Sequence, residues 1–175
     1  LAQKMHSLMK ANGIDAVFDE QRGFDHGLFV PLKIMFPQAD IPCVQLSLVK
    51  GLDPAEHIRI GEALGGIEQE VLLVIGSGFS FHNMSAFFTS ATTESQSMNE
   101  SFEEWLIQTC SDDAISEDER TRRLVEWKNA PSAGYCHPRE EHLLPLHVCY
   151  GIAKKACKEV FELKIMGKKA SMYLW

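Results

Sequence analysis

A run of apolar residues, VLLVI at 71–75, passes directly into Gly76-Ser77-Gly78 and ends on Phe79-Ser80-Phe81-His82-Asn83. So short and wholly apolar a run suits a strand buried on both faces, the situation of a parallel strand covered by helices on either side. A glycine turn at the end of such a strand delivers the next residues to the carboxyl edge of the sheet. Open α/β sheets bind their ligands at that edge. The segment therefore points to an α/β chain and to His82 and Asn83 as candidate site residues. A phosphate-cradling role for the glycines lacks support, since neither G-x-G-x-x-G nor a Walker lysine follows.

The rest of the chain alternates in the same sense. Residues 2–11 read as a helix closed by Asn12-Gly13, and 15–18 as a strand. Residues 28–36 read as a short helix or irregular apolar stretch ended by Pro37, and 41–49 (IPCVQLSLV) as a buried strand. Asp53-Pro54 with Glu56 predicts a helix to about Leu64, stopped by Gly65-Gly66. The polar stretch 85–101 reads as a surface loop or lid, and 102–110 and 117–127 as amphipathic helices. Residues 130–135 read as a turn, followed by a long helix after Pro138 and two closing strands at 160–166 and 170–175. Strands alternating with helices predict one α/β domain over residues 1–175, a largely parallel sheet with helices on both faces in three α/β/α layers. The chain opens at Leu1 inside a helical pattern and without Met, so the domain is expected to be incomplete at its N-terminus.

Charge excludes some partners. The net charge is −7, and the basic residues of 120–123 and 154–169 suit solvated helix faces, so neither nucleic acid nor an anionic membrane surface is expected to bind. Five cysteines without a C-x-x-C pair or signal peptide suggest a reduced, cytoplasmic setting. No apolar run approaches the roughly 20 residues that span a bilayer.

Three histidine segments invite chemistry. In Gly23-Phe24-Asp25-His26-Gly27 the acid could orient the His26 imidazole and the glycine would let a ligand approach, although such a tripeptide is also an ordinary turn. His82 lies at the expected sheet edge. In His137-Pro138-Arg139-Glu140-Glu141-His142, Pro138 fits the first turn of a helix and the two glutamates complement its positive end. His137 and His142 are five apart, which is not the one-face pair of a zinc helix, yet they can converge if His137 precedes the helix. Pro145 is expected to interrupt that helix. His57 and His147 read as ordinary helix residues and His6 as a surface one.

The strings D-H-G-x-x-V-P-L (residues 25–32), PQADIPCVQLS (37–47), G-S-G-x-x-x-H-N (76–83) and H-P-x-x-E-H-x-x-P-L (137–146) occur in this order. Together they resemble the class III extradiol ring-cleaving dioxygenases, in the branch of the 4,5-DOPA extradiol enzymes. The resemblance covers roughly residues 10–155. It implies extradiol cleavage of a catechol with O2 at a non-haem Fe(II) held by two histidines and a carboxylate or third histidine. Zn2+ in place of the iron is also compatible.

Carried over by motif, His142 is the expected metal ligand, with His137 as runner-up. His82 is the acid–base catalyst and His26 a second catalytic histidine that orients the catechol. His26, His82, Asn83 and His137 are the expected substrate contacts. Two further ligands are expected upstream of Leu1, so the chain alone is expected to be inactive. Two other readings stay open: a catalytically silent, protein-binding relative of the same fold, and a zinc-dependent hydrolase. Oligomerisation and the identity of the catechol are left open.

Overall fold

The computed structural model describes residues 1–68 and 71–175. Its elements in chain order are α1 (Ala2–Ala11), α2 (His26–Met35), α3 (Pro54–Leu64), α4 (Met84–Phe87), α5 (Thr93–Ser111), α6 (Glu117–Val125), α7 (Ala133–Cys136), α8 (Leu144–Ala153), β1 (Glu159–Ile165) and β2 (Lys168–Leu174). Single 3-10 turns lie at Trp127–Asn129 and Glu140–His142.

The helix over 54–64 forms as its sequence dictates. Asp53 accepts from the Glu56 amide at 2.9 Å and Pro54 opens the first turn. Its buried face packs on α8, where Gly61 meets Gly151. A methyl group added at Gly61 would lie 2.8 Å from the Gly151 Cα, so the two backbones touch because neither residue carries a side chain.

The longest helix, α5, begins nine residues earlier than the expected start at Phe102. The polar stretch expected to be a lid is helical from Thr93, with only α4 and a short connection before it. Thr92 accepts from the Ser95 amide at 3.1 Å, and the Ser95 hydroxyl accepts from the Thr92 amide at 2.9 Å. This reciprocal cap uses Ser where Glu or Gln is the usual signal, so the start was hard to read. The buried side of α5 (Phe102, Leu106, Cys110) joins Phe81, Leu124, Trp127, Cys136, Leu143 and Tyr150 in the main core.

The two closing strands pair, but as an antiparallel hairpin with Phe161 opposite Met172 and Leu163 opposite Ala170. Its turn places Met166 and Gly167 at φ +49° and +80°, the geometry of a tight two-residue hairpin. Asn99 locks the hairpin to α5 through both ends of its amide, accepting from the Lys169 amide at 2.7 Å and donating to the Lys169 carbonyl at 3.1 Å.

Among the described residues this two-stranded sheet is the only one. The strands expected at 15–18, 41–49 and 71–75 carry no backbone ladder. Apolar sequence signals a need for burial, and pairing requires a hydrogen-bonded neighbour on top of that. These segments lack one here, and Val71 is 90% exposed and Leu73 60%. His57, read as an ordinary helix residue, is buried and joins 41–49 to α3: its Nδ1 donates to the Asp53 carbonyl at 2.6 Å and its Nε2 accepts from the Val49 amide at 3.2 Å. The helix expected after Pro138 starts only at Leu144, and Pro145 falls in its first turn. A missing N–H costs nothing there, so the expected interruption does not arise. Among the described residues no helix is long and apolar enough to cross a membrane.

Candidate functional site

The glycine turn and the segment 136–145 are laced together. The Phe79 amide donates to the His142 carbonyl at 3.1 Å, the His82 amide donates to the Cys136 carbonyl at 2.9 Å, and the His137 imidazole bonds the Ser80 carbonyl through Nε2 at 2.7 Å. This close approach explains Gly76-Ser77-Gly78. A Cβ at Gly78 would collide with the His142 carbonyl, and one at Gly76 would sit 2.7 Å from the Cys149 sulfur and 2.9 Å from the Pro145 carbonyl oxygen. Neither glycine needs a left-handed backbone, so each is there for space.

The lacing presses two imidazoles together. The His82 and His142 rings stack with centroids 3.4 Å apart and planes 16° from parallel. Beside them the Glu141 carboxylate completes a cluster in which one ligand atom from each of His82, Glu141 and His142 lies within 4.8 Å of the others. Burial, then the neighbouring His82, hold the His142 pKa below the ordinary histidine value; Glu141 pulls the other way, and His26 adds a smaller lowering. The direction favours the neutral form that a metal ligand requires.

Two imidazoles and a carboxylate are a chemically suitable donor set for Fe(II) or Zn2+. The stack divides the roles. A nitrogen lone pair lies in its ring plane, and two rings stacked face to face do not aim both lone pairs squarely at one point. In this arrangement one of the two rings would hold an ion and the other would lie stacked against that ligand ring. Glu141 also pairs with Arg139 at 3.0 Å, which holds its carboxylate at the turn.

The other sequence-predicted residues fall differently. His26 opens α2 at the surface, near enough for its charge to act on His142 but outside the cluster. Asp25 does not orient it: the Asp25 carboxylate takes the Gln45 side-chain amide at 2.6 Å, and its backbone N–H donates back to Gln45 at 3.1 Å. Gly27 seats the start of α2 against Ser77, since a Cβ there would lie 3.2 Å from the Ser77 hydroxyl.

Asn83 is committed to the backbone at both ends of its amide, accepting from the Ala86 amide at 3.1 Å as the cap of α4 and donating to the Tyr135 carbonyl at 2.8 Å. His137 is 1% exposed, packed between Phe102 and Trp127. The sequence had expected His137 among the substrate contacts and as runner-up ligand; in the structure its ring lies in the core and bonds the Ser80 carbonyl. Glu141 was missed as a candidate donor because its position also suits a helix start, and only the 3-10 turn over Glu140–His142 brings it beside His142.

Residues 1–172 match the family described as the catalytic LigB subunit of aromatic ring-opening dioxygenase. Dioxygenase tasH of Hapsidospora irregularis is 33% identical over the whole chain and 56% of its own length. The 4,5-DOPA dioxygenase extradiol of Portulaca grandiflora is 36% identical over 90% of the chain and 57% of its own length. An uncharacterized Escherichia coli K12 protein of known structure superposes with a TM-score of 0.76 at 26% identity, covering 98% of this chain and 71% of that one. The chain thus spans a little over half the length of the curated relatives it matches.

Proposed function

The chain belongs to the LigB family of aromatic ring-opening dioxygenases and has its α/β fold, and from that premise we propose that the intact protein opens a catechol-type ring by extradiol cleavage with O2 at a non-haem Fe(II). The observation that carries the reading is the His82–His142 stack beside Glu141. Bound Fe(II) would supply a centre that takes both catechol oxygens and activates O2. His142 is the ligand contributed by this segment. The remaining ligands come from Glu141 or from the part of the relatives' length that this chain does not span. In this reading the apolar segments 41–49 and 71–75, exposed and without a backbone ladder among the described residues, are strands of a parallel sheet.

The protein's own groups handle protons and position. A catechol must lose a hydroxyl proton to bind as a chelate, and the proton must return as the ring opens. His82 is stacked on the His142 ring, and an imidazole there can accept that proton and give it back. His26, at the exposed N-terminus of α2, is read as the residue that helps bind and orient the catechol. Both oxygen atoms of O2 enter the product, so the cycle leaves His82 and the iron as they began.

The test is to supply the intact protein aerobically with Fe(II) and a panel of catechols including DOPA. A yellow ring-opened product dependent on O2 and Fe(II) supports the reading. Metal binding without any ring-opened product from the panel would contradict it, and hydrolysis of an ester panel with Zn2+ would replace it with the hydrolase.

A further inference from the structure

The His82 segment is held on its outer side by a hydrogen bond that no backbone group could make. Residues 80 and 82 offer a carbonyl and an amide toward segment 136–137. The His82 amide finds the Cys136 carbonyl. No backbone donor of that segment answers the Ser80 carbonyl: the His137 amide already closes α7 by donating to the Ala133 carbonyl at 2.8 Å, and Pro138 has no N–H. The His137 side chain answers it instead, reaching the Ser80 carbonyl at 2.7 Å through Nε2.

A carbonyl only accepts, so Nε2 carries the proton and Nδ1 is left as an acceptor. That Nδ1 is buried without a partner, and so is the indole Nε1 of Trp127, which can only donate. The two rings meet edge to face at 5.8 Å. One orphan donor thus lies beside one orphan acceptor, so the indole N–H is available to orient the imidazole. Ser80 is gripped from its other side as well, its hydroxyl accepting from the Ser171 amide at 2.9 Å.

We propose that His137 is a positioning residue: seated edge to face against the Trp127 indole, it holds the Ser80 carbonyl and so keeps His82 stacked on His142. The catalytic consequence rests on the reading of His82 as the proton carrier; the positioning itself does not.

The experiment uses the 175-residue chain labelled with 15N at histidine, without metal or catechol. In the wild type, His137 should show a neutral ring protonated at Nε2, and the ring protons of His82 and His142 should carry the upfield shifts that stacking produces. His137→Leu fills the space without a donor and should lose those upfield shifts while the core signals persist. His137→Gln, whose amide nitrogen can reach where Nε2 was, should restore them. Trp127→Phe keeps the ring and deletes the donor, so it should move the His137 Nδ1 resonance.

A His137→Leu chain that folds and keeps both upfield shifts would reduce His137 to a space filler and overturn the proposal. If that variant does not fold, the wild type decides, because a proton on Nδ1 contradicts the bond to Ser80. An unmoved Nδ1 resonance in Trp127→Phe would remove the indole from the account. Failure to cleave any catechol would sink the functional reading and leave these outcomes as they stand.

Discussion

Two stretches of one segment behave in opposite ways. Val71 is 90% exposed, while Phe81, ten residues on, is wholly buried. Both are apolar, and the run at 71–75 is the more uniformly apolar of the two. What differs is what lies alongside. Phe81 is surrounded by Phe87, Tyr135 and the core of α5 and α6, and its backbone neighbours bond to Cys136 and to the His137 imidazole. Residues 71–75 have no such ladder. An apolar run states a demand for cover, and the rest of the chain decides whether the demand is met. The candidate site lies on the covered side of that divide, so its stability and that of the exposed run should be separable.

The largest effects should come from the covered side. Phe102→Ala empties the core around Trp105 and His137 and should cost about 3–5 kcal/mol in denaturant unfolding. A loss no greater than that of a surface substitution would break the comparison. Gly78→Ala should follow, because its methyl meets the His142 carbonyl. Overpacking of this kind costs about 1–3 kcal/mol, and the His82–His142 stack should loosen with it. If Gly78→Ala is neutral, the two segments are less tightly laced than described.

Acid should weaken the covered side too. Burial pushes the His137 pKa down to about 4, the Ser80 bond pulling the other way. Above about pH 6.5 the ring is neutral whether the chain is folded or not. Between there and pH 4 the unfolded chain takes up a proton that the folded chain refuses, so stability falls as pH drops, by up to about 3 kcal/mol from this group. Glu103, raised by burial, contributes with the opposite sign, so the clean measurement is the difference between wild type and His137→Gln across that range. Equal slopes would remove His137 from the account.

The exposed side should give the smallest change. Leu73→Ser should shift unfolding of the isolated chain by about 0.5 kcal/mol or less, yet reduce its self-association in sedimentation, since exposed apolar strands invite pairing. A large loss of stability would show that the run is covered after all.

The contrast also explains what was legible in the sequence. Helix α3 could be read because Asp53, Pro54 and Gly65 are local signals that act on their own neighbours. The ordered motifs marked His26, His82 and His142, and the last two do meet, because the glycines make room for one segment against the other. The parallel sheet could not be read as a finished object, since a strand's partner is remote information that residues 71–75 do not contain. His137 was read as a contact residue because its motif lies next to His142 in sequence, and its burial was not legible there. Only the short turn of α7 turns its backbone amide inward and sends its ring into the core. The capping role of Asn83 was not legible either, since a helix as short as α4 leaves no periodic trace from which a cap could be inferred.

The central claim is that His142 holds the metal while His82, stacked on it, carries the proton. Iron content and turnover, measured together on His82→Ala and His142→Ala in the intact protein, test it most directly. The account predicts that His142→Ala loses iron and activity in step. His82→Ala should keep its iron and lose about 10²–10⁴-fold in turnover per bound iron, the usual contribution of a positioned acid–base group. A His82→Ala protein that loses its iron but keeps its turnover per remaining iron would contradict the assignment and make His82 the ligand.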